Sequence, residues 1–331
     1  MHVHFETRAA KPPVFKMTHE LIAEAAGRHR PSADIHLTLG ADLDDTTPLA
    51  TATALVTSND VIRDARFPIA DLESKAPALR WIHIIGAGIE PLLPLDWLPR
   101  TVTLTNNSGV HAQKIGEYAT MALLLLNARL PRMIGNQQRA RWDQVFTSSI
   151  AGKTVAVIGL GDMGGAAARQ AKRLGMKVLG VRRHAKPHRS ADEVFDFRQL
   201  PKALERADFV LVAAPLTPET RGLLGRPMLA QVKRGSALIN IGRAGIVDYD
   251  ALCDALASGA LSGAVLDVFE PEPLPRDSRL WHTPNLVVTP HCSSDDVERY
   301  MPLTLDLVFR NLERLIAGKP LKNRVDPRRG Y

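Results

Sequence analysis

A glycine-rich turn, "GLGDMG" at residues 159–164, is the feature that most constrains the fold of this chain. It follows the apolar run "TVAVI" and leads into the helical pattern "DMGGAAARQAKRLG". Gly159 permits a tight turn, Gly161 lets the backbone come close to a pyrophosphate, and Gly164 lets the helix pack on the strand. The phosphates then face free N–H groups and the positive end of the helix dipole. A strand, this turn and a helix in that order predict a dinucleotide-binding fold.

The segments after the turn alternate between short apolar strands and helices. The predicted strands are "MKVLGV", "DFVLVAAP", "SALINIG", "SGAVLDVF" and "NLVVTPH", and the predicted helices are "RPMLAQVK" and "DYDALCDALASG". Continuous apolar runs of strand length are typical of a parallel sheet with both faces covered. The pattern therefore predicts an α/β domain built on a doubly wound parallel sheet.

The N-terminal third and the end of the chain predict a second, smaller α/β domain. "ADIHLTL", "ATALVTS" and "RWIHIIGAG" are candidate strands, and residues 18–28 form a candidate helix. The pattern "MPLTLDLVFRNLERLIAG" predicts a last helix that packs back on this domain. Residues 116–132 are predicted as one apolar helix that stops before Pro131 and bridges the domains. Its excess of leucine predicts that it also contributes to a subunit interface.

The composition excludes several classes of protein. The chain has 331 residues, 45% of them hydrophobic and 23% charged, which is globular and long enough for two domains. Two cysteines give no disulfide framework, no spacing suggests a metal site, and no apolar run is long enough for a membrane span. The N-terminus has no signal-type run, so we expect a cytoplasmic protein. The net charge of +7 is scattered, which favours anionic small molecules over nucleic acid.

Two arginines stand where the second strand of the predicted domain ends. The run "KVLGV" ends at Val181 and is followed by Arg182, Arg183 and His184. An acid usually stands here, where it accepts a hydrogen bond from the adenosine ribose and repels a 2′-phosphate. Arginine reverses both effects, because its planar fork binds phosphate. These residues predict a preference for NADPH over NADH; the alternative is that they are solvated surface residues.

Ionisable residues also lie at or just beyond three later strand ends, where open α/β sheets bind ligands. They are Arg243, Asp267 with Glu272, and His291. Hydride transfer to a ketone leaves negative charge on its oxygen, and a histidine held by a carboxylate is suited to donate the proton. An arginine can bind a substrate carboxylate and polarise the neighbouring carbonyl. The alternatives are a capped or solvated histidine and a structural ion pair.

These segments resemble the D-isomer-specific 2-hydroxyacid dehydrogenase family from about residue 52 to residue 318. The matching motifs are "VIGLGDMG", "VAAPLTPETRGLLG", "NIGRAGIVDYDAL", "GAVLDVFEPEPLP" and "LVVTPH", in the family's order. The resemblance implies that Arg243 binds the substrate's carboxylate and carbonyl, that His291 is the acid/base, and that Glu272 orients it. Glu272 is preferred to Glu270 because the family's acid immediately precedes the Pro-Leu pair.

NADP(H) is the predicted cofactor because of the arginines after the second strand, NAD is the alternative, and no metal is predicted. The predicted cofactor-binding residues are Gly159, Gly161, Asp162, Met163, Gly164, Arg182, Arg183, Ala214, Pro215, Thr220, Ile241, Gly242 and Asp267. The loop "IIGAGIE" is predicted to hold the substrate carboxylate. The predicted substrate-binding residues are Gly86, Ala87, Gly88, Arg243 and His291.

The family's topology implies how the domains are arranged. A flavodoxin-like substrate domain is split into residues 1–108 and 293–331, and a Rossmann domain at residues 109–292 is inserted between the two parts. Such a cleft closes over the substrate and excludes water from the hydride step. The resemblance also implies a homodimer formed through the nucleotide domain.

Three departures from the family pattern bear on the identity of the substrate and not on the residues predicted to transfer the proton. The run "HCSSDD" replaces small, glycine-containing residues after His291, Ala244 replaces a glycine, and Glu90 replaces an aspartate. The predicted activity is NAD(P)H-dependent reduction of a 2-keto acid of the glyoxylate/hydroxypyruvate type to the D-2-hydroxy acid. Larger and aryl 2-keto acids stay open. The alternatives are an NAD-linked dehydrogenase of another 2-hydroxy acid, such as a phosphoglycerate-like one, and a dinucleotide-sensing scaffold.

Overall fold

The computed structural model describes residues 1–327 and divides the chain into two compact units. One unit contains residues 1–111 and the chain from residue 295 onward, and the other contains residues 112–294. Residues 328–331, assigned above to the substrate domain, lie outside the described residues. Among the helices of residues 1–327, none has the length and apolar character needed to span a membrane.

The helices and strands are numbered in chain order. The strands are β1 (His2–Thr7), β2 (His36–Ala41), β3 (Ala54–Thr57), β4 (Trp81–Ile84), β5 (Thr103–Thr105), β6 (Thr154–Ile158), β7 (Lys177–Val181), β8 (Glu193–Phe195), β9 (Phe209–Val212), β10 (Ala237–Asn240), β11 (Gly263–Leu266) and β12 (Leu286–Val288). The helices are α1 (His19–His29), α2 (Asn59–Ile62), α3 (Leu72–Lys75), α4 (Ala112–Asn127), α5 (Leu130–Gln138), α6 (Asp162–Arg173), α7 (Leu200–Leu204), α8 (Arg226–Leu229), α9 (Tyr249–Ala257) and α10 (Tyr300–Ile316).

The unit of residues 112–294 is built on a seven-stranded parallel sheet with the order β12-β11-β10-β9-β6-β7-β8. Successive residues of β6 face two different cores, with Val155 and Val157 in one and Ala156 and Ile158 in the other. Both faces of the sheet are therefore covered, which explains the continuous apolar runs. The predicted doubly wound Rossmann fold is confirmed, and its strand order reverses direction between β6 and β9.

The other unit contains a five-stranded parallel sheet with the order β2-β1-β3-β4-β5, which is the flavodoxin-like order. Helix α10 packs with α1 against one face of this sheet, where Leu305 and Phe309 meet Val3 and Phe5 in a common core. The last helix therefore belongs to the same unit as the N-terminal segment. The predicted flavodoxin-like α/β arrangement is confirmed.

Strand β1 is absent from the sequence analysis because its polar residues are buried as deeply as its apolar ones. His2, His4 and Glu6 share one face of the strand, and none of them is more than 8% exposed. His4 Nε2 lies 3.1 Å from Glu6 Oε2, and both histidines contact the Thr38 hydroxyl, at 2.7 and 2.9 Å. These contacts satisfy groups that burial would otherwise penalise.

The prediction of one helix over residues 116–132 is wrong. Helix α4 begins earlier, at Ala112, and ends at Asn127, and α5 begins at Leu130. Arg129 lies between them in the left-handed region, with φ of 57°. Pro131 does not stop a helix; it lies in the first turn of α5, where the missing N–H has no helical partner to lose.

Candidate active site

Three of the predicted site residues, two catalytic and one cofactor-binding, follow three neighbouring parallel strands. Arg243 lies beyond β10, Asp267 immediately follows β11, and His291 lies beyond β12. Strands β10, β11 and β12 are adjacent and parallel, so their carboxyl ends share one edge of the sheet. The fold therefore brings these residues to the edge where doubly wound sheets bind ligands.

His291 and Glu272 form a hydrogen-bonded pair. Nδ1 of His291 lies 2.8 Å from Oε2 of Glu272, and the other carboxylate oxygen accepts the Phe269 amide at 2.8 Å. With both oxygens engaged, the carboxylate is held in one orientation. A carboxylate at Nδ1 selects the tautomer that carries its proton there and leaves Nε2 to face a ligand. Of the two acids considered above, Glu272 is the one that makes this contact.

Asp267 anchors the turn that carries His291. The carboxylate is fully buried and accepts the Cys292 and Ser293 amides at 3.1 and 3.0 Å. It also accepts the Thr289 hydroxyl at 2.6 Å. His291 itself has φ of 50°, an uncommon conformation for a residue other than glycine. The three hydrogen bonds hold the backbone on both sides of this residue.

The hydroxyl of Tyr118, on α4, extends this network. It lies 2.6 Å from Thr289 Oγ1, and because that hydroxyl donates to Asp267, Tyr118 is the donor in its own contact. Burial raises the pKa of Tyr118, which keeps its proton in place. The series of hydrogen bonds from Tyr118 through Thr289 to Asp267 thus connects α4 to the turn that carries His291.

A second network, centred on Asn240, shapes the segment that carries Arg243. Asn240 is fully buried, and its amide nitrogen donates to the Arg243 carbonyl at 3.1 Å and to the Tyr249 hydroxyl at 2.9 Å. Its oxygen accepts the Gly242 amide at 3.0 Å, and Tyr249 donates to the Val268 carbonyl at 2.7 Å. The half-buried Arg243 side chain donates from Nη1 to the Gly242 carbonyl at 2.8 Å.

The glycines of the turn after β6 fit a dinucleotide. Gly159 has φ of 91°, and a Cβ there would lie 2.7 Å from the Ala214 backbone. A Cβ on Gly164 would collide with the Gly159 carbonyl, whereas a Cβ on Gly161 would meet nothing within 4 Å. Two glycines are thus required by close packing, and the third faces open space at the start of α6. That is the arrangement a pyrophosphate needs.

The other predicted residues around this turn have structural contacts of their own. Gly242 packs on the loop after β9, because a Cβ there would lie 2.8 Å from the Ala214 carbonyl oxygen. The Thr220 hydroxyl donates to the Pro215 carbonyl at 2.7 Å and accepts the Thr217 amide at 2.8 Å. The remaining positions are Asp162, the first residue of α6, Met163, packed against the core, Pro215, which is exposed, and Ile241, which is buried.

The two arginines after β7 differ in their surroundings. Arg183 Nη2 lies 3.3 Å from Glu219 Oε1, and this pair is partly exposed. The Arg182 side chain forms no ion pair with any residue of the described chain, while its backbone amide donates to the Phe195 carbonyl at 3.0 Å. Of the two guanidinium groups, that of Arg182 therefore lacks an internal counter-ion.

In the other unit, the predicted substrate loop is held through its carbonyl groups. The Gly86 carbonyl accepts the Asn107 amide at 3.0 Å, and the Ala87 carbonyl accepts the Asn106 side chain at 2.8 Å. The Gly88 carbonyl accepts the Asn59 side chain, also at 2.8 Å. The amides of Ala87 and Gly88 donate to no acceptor within residues 1–327. Amides left over in this way are suited to bind a carboxylate.

Two histidines of this unit, His83 just before the loop and His111 at the end of the unit's first segment, are buried. His83 is fully buried, and burial lowers its pKa to about 3. The His111 ring packs against the Tyr300 ring, tilted by 35° with 4.5 Å between the ring centroids, and burial lowers the pKa of His111 to about 4. The Tyr300 hydroxyl donates to the Ile85 carbonyl at 2.8 Å, immediately before the loop. Both histidines are therefore neutral at pH 7.

The residues that position the predicted site residues were not predicted from the sequence. They are Asn59, Asn106, Tyr118, Asn240, Tyr249 and Thr289. Only Asn240 carried a signal, because it ends the otherwise apolar strand "ALIN". Within residues 1–327, no group of three or more His, Cys, Asp or Glu residues is arranged to hold a metal ion.

Comparisons with known proteins agree with this geometry. Residues 120–293 match the family model described as "D-isomer specific 2-hydroxyacid dehydrogenase, NAD binding domain". The chain is 34% identical to glyoxylate/hydroxypyruvate reductase B of Pectobacterium carotovorum over 284 residues, which cover 83% of the chain and 87% of that protein. It is 30% identical to D-3-phosphoglycerate dehydrogenase of Methanocaldococcus jannaschii, covering 80% of the chain but 51% of that longer protein.

Solved structures are similar along almost the whole chain. A D-isomer specific 2-hydroxyacid dehydrogenase from Xanthobacter autotrophicus, in complex with NADPH and MES, has a TM-score of 0.82 at 31% identity, with 99% of each chain covered. An NADPH-dependent glyoxylate/hydroxypyruvate reductase from Sinorhizobium meliloti, in complex with NADP and sulfate, has a TM-score of 0.79 at 28% identity, with 100% of this chain and 99% of that chain covered. The chain belongs to the D-isomer specific 2-hydroxyacid dehydrogenase family, whose members are oxidoreductases.

Proposed function

We propose that this protein is an NADPH-preferring reductase of small 2-keto acids, of the glyoxylate/hydroxypyruvate type, that forms the D-2-hydroxy acid. The observation that carries the proposal is the 2.8 Å pair of His291 and Glu272 at the ligand-binding edge of a dinucleotide-type sheet. The similarity to glyoxylate/hydroxypyruvate reductases supports the substrate class. An NAD-linked dehydrogenase of another 2-hydroxy acid is the alternative.

In this proposal His291 supplies the proton. The nicotinamide, when bound, supplies the hydride. The imidazole donates its Nε2 proton to the substrate oxygen as negative charge develops there. Before the transfer the ring is an imidazolium with protons on both nitrogens. Glu272 holds the proton on Nδ1 and offsets the positive charge of the ring until the Nε2 proton has been transferred. Asp267 fixes the turn through the Cys292 and Ser293 amides, so the imidazole keeps its position between turnovers.

Arg243 is proposed to bind the substrate's carboxylate, and the loop of residues 86–88 in the other unit is proposed, by itself, as an anion-binding segment. The guanidinium of Arg243 presents N–H groups in a fixed fork, which suits a carboxylate and polarises the adjacent carbonyl. The Ala87 and Gly88 amides lack acceptors within the described chain, and one asparagine contact to each of the Gly86, Ala87 and Gly88 carbonyl groups holds the loop in place. A loop fixed in this way binds an anion without first having to be ordered.

The cofactor preference is assigned to Arg182. Its guanidinium follows β7, at the position where an acid would select NADH, and it has no ion pair within the described chain. Arg183 contributes less, because Glu219 already lies 3.3 Å from it. Arg182→Asp is therefore expected to weaken NADPH binding at least tenfold relative to NADH.

The protein is proposed to act as a homodimer through residues 121–146. Six large hydrophobic side chains in this segment are more than a third exposed, namely Met121, Leu124, Leu130, Ile134, Trp142 and Phe146. Trp142 and Phe146 are 93% and 86% exposed, which is unusual on a monomer surface. Sedimentation equilibrium of the protein and of Trp142→Ser/Phe146→Ser tests this, and a monomer in both would contradict it.

The two cysteines fit the predicted cytoplasmic location. Neither Cys253 nor Cys292 forms a disulfide in the described chain. A reducing compartment keeps thiols in this form.

The experiment that tests the proposal compares initial rates for glyoxylate, hydroxypyruvate, phosphohydroxypyruvate and phenylpyruvate with NADPH and with NADH. The proposal predicts the highest kcat/KM for one of the first two substrates, with NADPH. The highest kcat/KM for phosphohydroxypyruvate or phenylpyruvate, with NADH, would support the alternative. His291→Gln serves as the control that any observed rate belongs to this site.

A further inference from the structure

A cluster of cationic side chains surrounds the first turns of α6, beyond the end of β7. Arg182 follows β7, Arg169 lies on α6, and His188 and Arg189 lie on the segment between β7 and β8. None of the three arginines has a carboxylate oxygen within 4.0 Å among residues 1–327. Three cations gathered without a counter-ion form a site for a multiply charged anion.

The imidazole of His188 lies directly over the first turns of α6. A Cβ built on Gly165 would lie 3.5 Å from Cε1 and 3.8 Å from Nε2 of His188, and 3.8 Å from Nη1 of Arg169. Nδ1 of His188 accepts the Ser190 amide at 3.3 Å. The ring is therefore held by its own segment at Nδ1, and Nε2 has no hydrogen-bond partner in the described chain.

The surroundings of His188 favour its neutral form as long as no anion is bound. Burial, followed by the charges of Arg182, Arg189 and Arg169, lowers the pKa of His188 below its usual value. These charges come from the end of β7, from its own segment and from α6, so every element around the ring contributes a cation. A dianionic phosphate reverses this balance, because it attracts the imidazolium that the arginines repel.

We propose that His188 is a proton-linked part of the 2′-phosphate site: its imidazole takes up a proton when NADPH binds but not when NADH binds. This inference rests on the proposed NADPH preference. It assigns the 2′-phosphate to Arg182, Arg169 and His188 together rather than to a single arginine. Because the uptake accompanies only the phosphorylated cofactor, the preference for NADPH over NADH becomes stronger as the pH falls from 8.5 to 7.

The phosphate itself titrates in the opposite sense and sets the range of the experiment. The second pKa of a phosphate monoester is about 6. Near that pH, binding to a cluster of cations favours the dianion, so the phosphate releases a proton when NADPH binds. Above pH 7 the phosphate is already a dianion, and the only proton exchanged at this site is the one taken up by His188. Measurements from pH 7.0 to 8.5 therefore isolate the imidazole.

The test is calorimetric titration of the protein with NADPH and with NADH at pH 7.0 and 8.5, in two buffers of different ionisation enthalpy. For the unaltered protein we expect net proton uptake with NADPH at pH 7.0 and none with NADH. The ratio of the two dissociation constants is expected to shift in favour of NADPH by roughly three- to tenfold from pH 8.5 to 7.0.

His188→Gln keeps a neutral N–H donor and removes the titration, so its ratio of dissociation constants should not change with pH. Its unchanged NADH affinity reports that the fold is intact. His282→Gln, at an exposed position of the same unit outside this cluster, is the matched control and should keep the pH dependence.

Three outcomes overturn the proposal: a pH-independent ratio in the unaltered protein, a pH dependence that persists in His188→Gln, or one lost in His282→Gln. A failure of the proposed function looks different. In that case NADPH has no advantage over NADH at any pH.

Discussion

Replacing Asp267 by asparagine should loosen the turn that carries His291 without changing the shape of the buried side chain. The carboxylate accepts Thr289 and the Cys292 amide through one oxygen and the Ser293 amide through the other. Asparagine keeps one acceptor oxygen and turns an NH2 group toward the Ser293 N–H. A buried hydrogen bond to a charged group contributes about 1.5–3 kcal/mol. The Ser293 amide, which belongs to a residue only 3% exposed, would lose that bond.

Amide hydrogen exchange measures this loss directly. Since 1.4 kcal/mol corresponds to a factor of ten, exchange at Ser293 should accelerate roughly 10- to 150-fold in Asp267→Asn. The kcat for 2-keto acid reduction should fall as well, because the imidazole is no longer held in one place. Asp248→Asn, which alters the cap of α9 at the Ala251 amide, is the matched control. Unchanged exchange at Ser293 in Asp267→Asn would refute the assignment of Asp267 as the anchor.

Three further changes test other parts of the account. His291→Gln should lower kcat by about 10²–10⁴ and leave NADPH binding intact in a fluorescence titration, since only the proton donor is lost; an unchanged rate contradicts this role. Asn106→Ala removes the hydrogen bond to the Ala87 carbonyl and should raise KM for the keto acid about 5- to 20-fold at constant NADPH affinity. An unchanged KM would show that the loop needs no such support. His111→Phe tests stability in acid. Burial lowers the pKa of His111 to about 4 in the folded protein. Between about pH 6.5 and 4 the unfolded chain therefore binds a proton at this histidine and the folded chain does not. Stability therefore falls as the pH falls through this window, and the variant, which keeps a ring against Tyr300, should lose less in urea unfolding at pH 5.0 relative to pH 7.5.

The parallel sheet of residues 112–294 could be predicted because each central strand is apolar on both faces. The runs of β9 and β11 contain no polar residue, and β10 contains one, Asn240, at its end. Strand β1 could not be predicted in the same way. Its buried His4 and Glu6 satisfy each other, and Gly40 on the neighbouring strand leaves space for the Glu6 carboxylate, which a Cβ there would strike. Because the buried polar groups of β1 are accommodated partly by residues of β2, which are distant in sequence, no local sequence pattern indicates a strand here.

The residues of the candidate site also fall into a group that could be predicted from the sequence and a group that could not. The residues proposed to carry the chemistry were predicted from motifs, since Arg243, Glu272 and His291 each follow a recognisable strand end. Residues that position them were not, because Asn106, Asn240 and similar side chains act by donating to single backbone carbonyls. A polar side chain bonded to one carbonyl looks, in a sequence, like any other loop residue.

The helix prediction over residues 116–132 was wrong for a local reason. Pro131 was taken as a stop, but proline is equally suited to the first turn of a helix. What ends α4 is the left-handed conformation of Arg129, whose side chain donates to the Gly235 carbonyl at 3.2 Å. That contact joins residues 106 positions apart in the chain, so a window of neighbouring residues does not contain it.

The most direct test of the central claim follows the hydride itself. Hydroxypyruvate is incubated with the protein and NADPH deuterated at the transferring position of the nicotinamide, and the product is examined by mass spectrometry and chiral chromatography. The account predicts D-glycerate with one deuterium at C2, and no product with His291→Gln under the same conditions. L-glycerate, or a product without deuterium, would contradict the proposed direct transfer to one face of a 2-keto acid held by Arg243 and protonated by His291.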